Sequence, residues 1–446
     1  MGGMEKPPGG GAEKGQFGPY LGLTVLIGFG FLTMGLMDPL YDTYLPLFLR
    51  RYISSHTAVG ALMTVDNILQ LFLIPLVAVW SDRTRTRLGR RIPFIAVMLP
   101  LSAILFSLIP SLALRSLPAL MGIIFVFNIF KTSVRGPVVA LMPDTVPAAY
   151  RSEANGIINM MGGLGLILGT LGLTRLMDRK VLPEAFPPET LPFAVAGLCI
   201  LAAALVLVLF VRETLPAVPG EEEQVSVRAS IRRIFGKPDP ADHREDRDLR
   251  ETNRRSVGRI LLSLFCWFLA YEGIKPFLGL YLVERIGVGR ENAALAQGMA
   301  GISGVILAVP SGYLAHAIGR RRFIRICLAL LALTLLAVPL TKSLTVFLIL
   351  MFIYGVFWIG VVVNSFPMLW QMADYGTMGI YTGLYYTFSQ SAAILAPPLT
   401  GAVIDLGGYG GLFIFGAAAM LAAWFIMGGV RAGEPPPARP ETPAKE

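Results

Sequence analysis

The chain of 446 residues is 54% apolar and only 15% charged, against roughly 25% charged residues in an ordinary soluble domain, which excludes a water-soluble globular protein. Its net charge of +9 resides largely in basic loops beside apolar runs, so it is no argument for nucleic acid. Cys199, Cys266 and Cys327 lie inside apolar runs, and His56, His243 and His316 lie at run ends or in a loop; neither a disulfide framework nor a metal site follows from them.

Residues 1–18 are Gly-rich and are predicted to form a mobile N-terminus. Stretches long enough to cross a bilayer, about 20 residues each, follow at 19–49, 57–80, 92–111, 117–142, 152–177 and 191–211, then at 257–283, 293–315, 323–341, 345–373, 378–404 and 411–430. These twelve spans are predicted to be helices, because a segment in lipid must satisfy its backbone internally. The first is too long, and carries acids too deep, for a cleaved signal peptide. Residues 212–256 turn hydrophilic, with Glu221-Glu222-Glu223 and alternating signs from His243 to Asp248, and read as a cytoplasmic linker between bundles at 19–211 and 257–430. The tail at 431–446, rich in Pro and charge, is predicted to be disordered.

The two halves repeat each other at an offset of 230 residues. Tyr41 and Asp42 fall on Tyr271 and Glu272, Pro46 on Pro276, Ser81 on Ser311, Gly89-Arg90-Arg91 on Gly319-Arg320-Arg321, Pro137 on Pro367, and Asp144 on Asp374. A constant long period across separated landmarks marks a duplicated unit, and duplicated membrane bundles are a common basis for secondary transporters. The loop after span 2 carries Arg83, Arg85, Arg87, Arg90 and Arg91, and its duplicate carries Arg320, Arg321, Arg322 and Arg325. This bias predicts a cytoplasmic position for both loops and both termini, with Arg50, Arg51, Arg179 and Lys180 as a smaller opposing set.

The stretch from Ser81 to Phe94, with Asp82, Arg83, Arg87, Gly89, Arg90 and Arg91, resembles the loop signature of the major facilitator superfamily. Its lengthened form resembles that of the glycoside-pentoside-hexuronide:cation symporters and plant-type sucrose transporters. Pro143-Asp144-Thr145-Val146-Pro147 with Arg151 and Asn155, and Tyr381 to Gln390 with Pro397-Pro398, resemble the same branch. The resemblance implies an all-α integral membrane protein of twelve helices in two six-helix bundles, around a cavity lined chiefly by spans 1, 4, 7 and 10 that opens alternately to each side. It assigns gating to Asp82, Arg83, Arg87, Gly89, Arg90, Arg91, Asp144 and Arg151, with the duplicates Arg320, Arg321 and Asp374, and has Asp82 beside span 11 stabilising the outward-open state. Gly312 stands where the duplicate of Asp82 would be, so the latch is expected on one side only. Gly162, Gly163, Gly165 and Gly169, and Gly383 in span 11, are expected to permit close helix packing.

Ionisable residues inside a bilayer are costly and point to function. Asp38, Tyr41 and Asp42 share one face of span 1, and Asn128, Lys131 and Arg135 share one face of span 4. At about 1.5 Å per residue, Asp38 and Lys131 fall within roughly 5 Å of mid-membrane, with Asp66 at similar depth and Arg135 about 8 Å toward the cytoplasm. Span 7 repeats the theme with Tyr271, Glu272 and Lys275. Asp38, Asp42, Asp66 and Glu272 are therefore candidate proton-coupling acids, and Lys131, Arg135 and Lys275 their charge partners; the alternative is a set of static salt bridges joining helices. Sodium is the rival ion, but the positions of the acid pair in melibiose-type carriers hold Gln70 and Ile74 here.

A neutral sugar would need hydrogen-bonding side chains and an aromatic face in an otherwise apolar pocket. Tyr41, Asn128, Asn155, Asn159, Tyr271, Trp358, Asn364, Tyr385, Tyr386 and Gln390 are the candidates, Asn364 foremost because it lies on a cavity span beside the position that duplicates Arg135. No phosphate-binding Gly-rich loop is present to drive a pump with ATP. The resulting expectation is a cofactor-free, monomeric, proton-coupled symporter of a sugar or glycoside in the cytoplasmic membrane. A carrier or exporter of an organic anion or amphipathic compound, and a lipid-handling or sensing protein on the same fold, remain as alternatives.

Overall fold

The computed structural model describes residues 18–147, 150–178, 183, 186–213, 244–372 and 378–432. The first 17 residues, most of the linker, the tail from 433 and Asp374 lie outside these. Among the described residues the chain forms twelve membrane-length helices: α1 (Gly18–Leu49), α2 (His56–Arg83, with a break at Thr64), α3 (Ile92–Leu112), α4 (Leu117–Thr145), α5 (Arg151–Ile167), α6 (Thr190–Phe210), α7 (Arg244–Ile274), α8 (Leu295–Ile318), α9 (Arg320–Ala337), α10 (Leu344–Trp370), α11 (Met378–Gly407) and α12 (Tyr409–Met427). Wider turns continue α5 through Leu168–Gly172 and α7 through Tyr281–Ile286. Ten of these segments are apolar enough to cross a bilayer individually, and α8 is so when the parts before and after Val309 are taken together. The remaining helix, α11, is long enough at 30 residues, with its apolarity interrupted by Ser389, Gln390 and Ser391.

The duplication recurs in packing. α1 lies against α5 and α6, α3 against α4 and α6, and α2 against α4; the same neighbours, shifted by six helices, pair α7 with α11 and α12, α9 with α10 and α12, and α8 with α10. Small residues set the approach of α1 to α5, where a Cβ on Gly35 or Gly165 would fall on the backbone of the other helix. Gly163 instead faces Val305 of α8, and Gly383 meets nothing among the described residues, so the packing role expected of Gly383 is not realised. Gly89 and Gly319, duplicates of each other, have φ of 105° and 89°; this left-handed backbone favours glycine and turns the chain into α3 and α9. Large apolar side chains such as Leu76, Trp80, Leu209, Leu333 and Phe425 are exposed on the outside, which in a membrane is their solvent.

The halves meet most closely at one end. A Cβ on Gly60 of α2 would collide with Pro397 of α11, and one on Gly401 with the carbonyl of His56. Asp405 accepts hydrogen bonds from Ser55, from the backbone N–H of His56 at 2.8 Å and from the backbone N–H of Thr57 at 2.9 Å. Glu284 pairs with Arg50 at 3.2 Å, and Glu189 with Arg290 at 2.7 Å. At the opposite end, which carries the Arg-rich loops, the ion pairs of Arg90 and Arg91 among the described residues stay within the first half. The molecule is thus sealed at the end of the α1–α2, α7–α8 and α11–α12 connections. Exposure along α4 agrees with this, rising from 0% at Asn128 through 8% at Lys131 to 40% at the side chain of Arg135.

Candidate functional site: a central two-compartment cavity

Between the halves lies a charged compartment of about 180 Å³, lined by Asp38 and Asp42 of α1, Asp66, Asn67 and Gln70 of α2, Lys131 and Arg135 of α4, Glu272 of α7, Lys275, and Ser389 and Gln390 of α11. Backbone irregularity helps to present these groups. Pro39 follows Asp38 inside α1 and removes a helical donor there. The regular helix of α7 stops at Ile274, and Lys275–Phe277 form a tighter turn containing Pro276. Such breaks are tolerated at membrane depth where the backbone lines a cavity.

Lys131 Nζ lies 2.8 Å from Asp38 Oδ1, and Arg135 Nη1 lies 3.5 Å from the other oxygen of the same carboxylate. Lys275 Nζ lies 2.7 Å from Asp42 Oδ2, joining the first half to the second at the centre of the molecule. The other two acids have only longer contacts: Asp66 is 4.0 Å from Lys131, and Glu272 is 3.9 Å from Lys275. Tyr41 and Asn128 are buried behind this cluster and line neither compartment: the Tyr41 ring lies 4.7 Å from Lys131 Nζ, and its hydroxyl accepts from Asn128 Nδ2 at 2.7 Å. Gln390 Nε2 donates to the carbonyl of Asn67 at 3.2 Å and links α11 to α2.

A second compartment of about 280 Å³ adjoins the first at Asp38, Asp42 and Lys275. Its wall is mainly apolar, with Leu166 of α5, Gly301 and Gly304 of α8, and Met351, Tyr354 and Trp358 of α10. Tyr271 and Trp358 stack with ring centroids 4.1 Å apart and planes 4° apart. Tyr354, also parallel to Trp358, keeps a buried hydroxyl with no hydrogen-bond partner among the described residues.

Several sequence candidates lie elsewhere. Asn364 is buried and donates to the carbonyl of Gly360 at 2.9 Å and of Ser311 at 3.5 Å; it ties α10 to α8 behind the cavity wall. Asn155 and Asn159 are exposed and bonded to each other, Tyr385 bonds Ser365, and Tyr386 is 61% exposed; none of these four lines either compartment. Tyr354, Phe268, Asn67 and Gln297 do line the cavity without having been singled out as its binding groups. Only the four-residue spacing of Tyr354 from Trp358 on one helix signalled any of them.

In the loop region, Arg90 Nη2 meets Asp144 at 2.5 Å, and Arg91 binds Asp144 at 2.9 Å as well as Asp82. Asp82 is therefore engaged by an arginine of its own half. Arg151 holds the carbonyls of Pro143 and Val146, while Arg83 and Arg87 are exposed. Glu213, which drew no attention in the sequence, accepts from the backbone N–H groups of Arg90, Arg91 and Ile92 at 2.8, 2.6 and 2.7 Å. Among the described residues no three His, Cys, Asp or Glu side chains gather to hold a metal.

The family model of the Major Facilitator Superfamily matches residues 27–397, and the chain belongs to that family. It is an integral membrane transporter of a small-molecule solute, with the twelve-helix fold of the family. No curated protein sequence matches it. Among solved structures, a bacterial homologue of the human lysosomal transporter Spinster, inward-facing and occupied, aligns with a TM-score of 0.68 at 15% identity over 95% of this chain and 99% of that one. The nucleoside transporter NupG aligns at 0.66 with 12% identity over 91% and 100%. The human organic anion transporter MFSD10 aligns at 0.60 with 19% identity over 92% and 99%. At these identities the likeness is one of fold.

Proposed function

We propose that the protein is a proton-coupled secondary transporter that carries a sugar or glycoside by alternating access, with Asp66 and Glu272 as its coupling acids. The observation that carries this reading is the inequality within the charge cluster. Four carboxylates share three cations; Asp38 and Asp42 hold contacts of 2.8 and 2.7 Å, whereas Asp66 and Glu272 stand 4.0 and 3.9 Å from their nearest cations. A proton arriving at either of the latter breaks no short ion pair, yet it changes the field at Lys131 or Lys275. Polar groups on the charged wall, Asn67, Gln70 and Gln390, together with the stacked pair Tyr271 and Trp358, supply the hydrogen bonds and the flat apolar face that a pyranose needs. In this reading the bundles at 19–211 and 257–430 rock about the site, joined by the 212–256 linker. The protein sits in the cytoplasmic membrane as a monomer, termini inside. The apolar compartment, with a Tyr354 hydroxyl that has no partner among the described residues, favours one alternative, an amphipathic non-sugar solute.

The test is uptake of labelled sucrose, maltose and a glucuronide into proteoliposomes under an inward proton gradient, with a sodium gradient alongside. A gradient of one pH unit drives about tenfold accumulation per coupled proton. Asp66→Asn or Glu272→Gln should remove that accumulation while solute exchange continues. Accumulation driven by sodium alone, or untouched in both variants, would overturn the assignment of these acids.

A further inference from the structure

The end of α8, the start of α9 and the segment after α12 enclose a cavity of about 460 Å³ lined by Ile318, Arg321, Arg322, Arg325 and Arg431. No carboxylate among the described residues lines it. Arg325 is set over the ring of Trp424 at 4.6 Å, and its buried Nε lacks a hydrogen-bond partner among those residues. Arg321 is braced by the carbonyl of Gly428 at 2.5 Å. These supports fix guanidinium groups around one space.

The first half shows what the same place normally contains. There, Arg90 and Arg91 are paired with Asp144, Arg91 also with Asp82, and the Glu213 carboxylate occupies three backbone N–H groups at the start of α3. In the second half Gly312 replaces Asp82, and after the last span, at an offset shortened to 219 residues, Val430-Arg431-Ala432 matches Val211-Arg212-Glu213 after the sixth, with Ala in place of Glu. Arg322 and Arg325 stand where the first half has Ile92 and Ile95. Relative to the first half, this place lacks the carboxylates of Asp82 and Glu213 and carries Arg322 and Arg325 where the first half has apolar side chains.

We propose that this cavity binds the phosphate group of an anionic phospholipid. Guanidinium forks match phosphate oxygens in pairs, and a basic cluster at the membrane surface attracts anionic headgroups. Placement favours lipid as the source of the phosphate: Ile318 in the lining is 39% exposed, Leu314 about one turn earlier is 53% exposed, and Phe425 beside Trp424 is 77% exposed, so acyl chains have an apolar surface to follow away from the arginines. The headgroup would take the place that Glu213 fills in the first half and would hold α8, α9 and the end of α12 together.

The experiment is thermal unfolding of the full-length protein in detergent, titrated with phosphatidylglycerol, phosphatidylcholine or sodium phosphate, with bound lipid counted by native mass spectrometry. Phosphatidylglycerol should raise the midpoint and be retained, phosphatidylcholine should not. Arg322→Gln/Arg325→Gln should weaken the effect roughly 30-fold. Arg83→Gln/Arg87→Gln, which alters exposed arginines of the other half, should leave it intact. Arg322→Gln/Arg431→Gln, at exposed side chains, carries the same test if the loss of Arg325 unfolds the protein. An undiminished response in both cavity variants, or equal protection by phosphatidylcholine, would overturn the site. Protection by inorganic phosphate at the same concentration as phosphatidylglycerol would overturn the lipid as source.

Discussion

Tyr354 is 5% exposed, its hydroxyl has no partner among the described residues, and it stands on the wall of the apolar compartment. A buried polar group left unmade costs about 1–3 kcal/mol, so Tyr354→Phe should stabilise the solute-free protein by an amount of that order. The same change should raise KM about tenfold for any solute that uses the hydroxyl, with kcat little altered, because a bond present in both ground and transition states is lost. Thermal unfolding beside uptake kinetics reads both effects, and a fall in stability would mean that the hydroxyl already has a partner. Lys131→Met tests the opposite situation. Among the described residues it leaves Asp38 with only the 3.5 Å contact to Arg135 and Asp66 with no cation within 4.0 Å, and breaking a buried pair from one side typically costs about 3–5 kcal/mol. Lys131→Met/Asp38→Asn should recover most of that loss in thermal unfolding; a double variant as unstable as the single one would place the worth of Lys131 elsewhere. At this scale the charges were legible, because an acid or a lysine in the middle of an apolar span has few uses. The amides were not. Asn364 satisfies itself on the carbonyl four residues back and on α8, a use that no spacing rule separates from solute binding.

Helices carry a different kind of information. Span positions followed from the length of apolar runs, with α11 hardest to see because its polar middle faces α2 and the charged compartment. The contact of α2 with α11 rests on glycines whose importance no sequence pattern revealed: Gly60 against Pro397 and Gly401 against His56. Neither collision can be relieved by turning a side chain, since the opposing atoms are backbone. Gly60→Val and Gly401→Val should therefore prevent this end from sealing, while leaving each bundle able to fold. The expected result is slow transport with a near-normal unfolding midpoint, and a cysteine introduced at Ala58 that stays reactive to a membrane-impermeant thiol reagent. A reagent-protected Ala58→Cys in the Gly60→Val background would show that the two helices close by another route. Gly383, expected to serve packing, meets no described residue within 4 Å of where its Cβ would stand; a glycine in an apolar helix is only permissive, and whether a neighbour arrives depends on the whole bundle.

Across the whole molecule, the 230-residue offset foretold the duplicated packing of the two halves, yet it did not tell which end of the molecule would be shut. Both arrangements use the same helices, and their difference lies in contacts between halves that repeat symmetry does not specify. Here the sealed end is held by Asp405, which accepts from two backbone N–H groups and the hydroxyls of Ser55 and Thr57, and lies 2.8 Å from the ring of His56. Tyr409 and Arg50 meet on Glu284 close by. The Asp405 contacts cross from the start of α2 to α11, and the Arg50–Glu284 pair from the end of α1 to the segment after α7, so they exist only while this end is closed and bias the equilibrium between the two access states. A ligand or mutation shifts such an equilibrium by its differential effect on the two states, and hydrogen bonds to a charged acceptor are worth about 1.5–3 kcal/mol each. Asp405→Ala removes several at once and should shift the population at least tenfold toward the state open at this end. Spin labels at Ala58 and Leu406 should then report a longer distance in the variant, while the affinity of the detergent-solubilised protein for a solute that prefers the other access falls in proportion. A distance distribution identical to that of the parent protein would locate the closing free energy in the packing of Gly60 and Gly401 instead of in the Asp405 network.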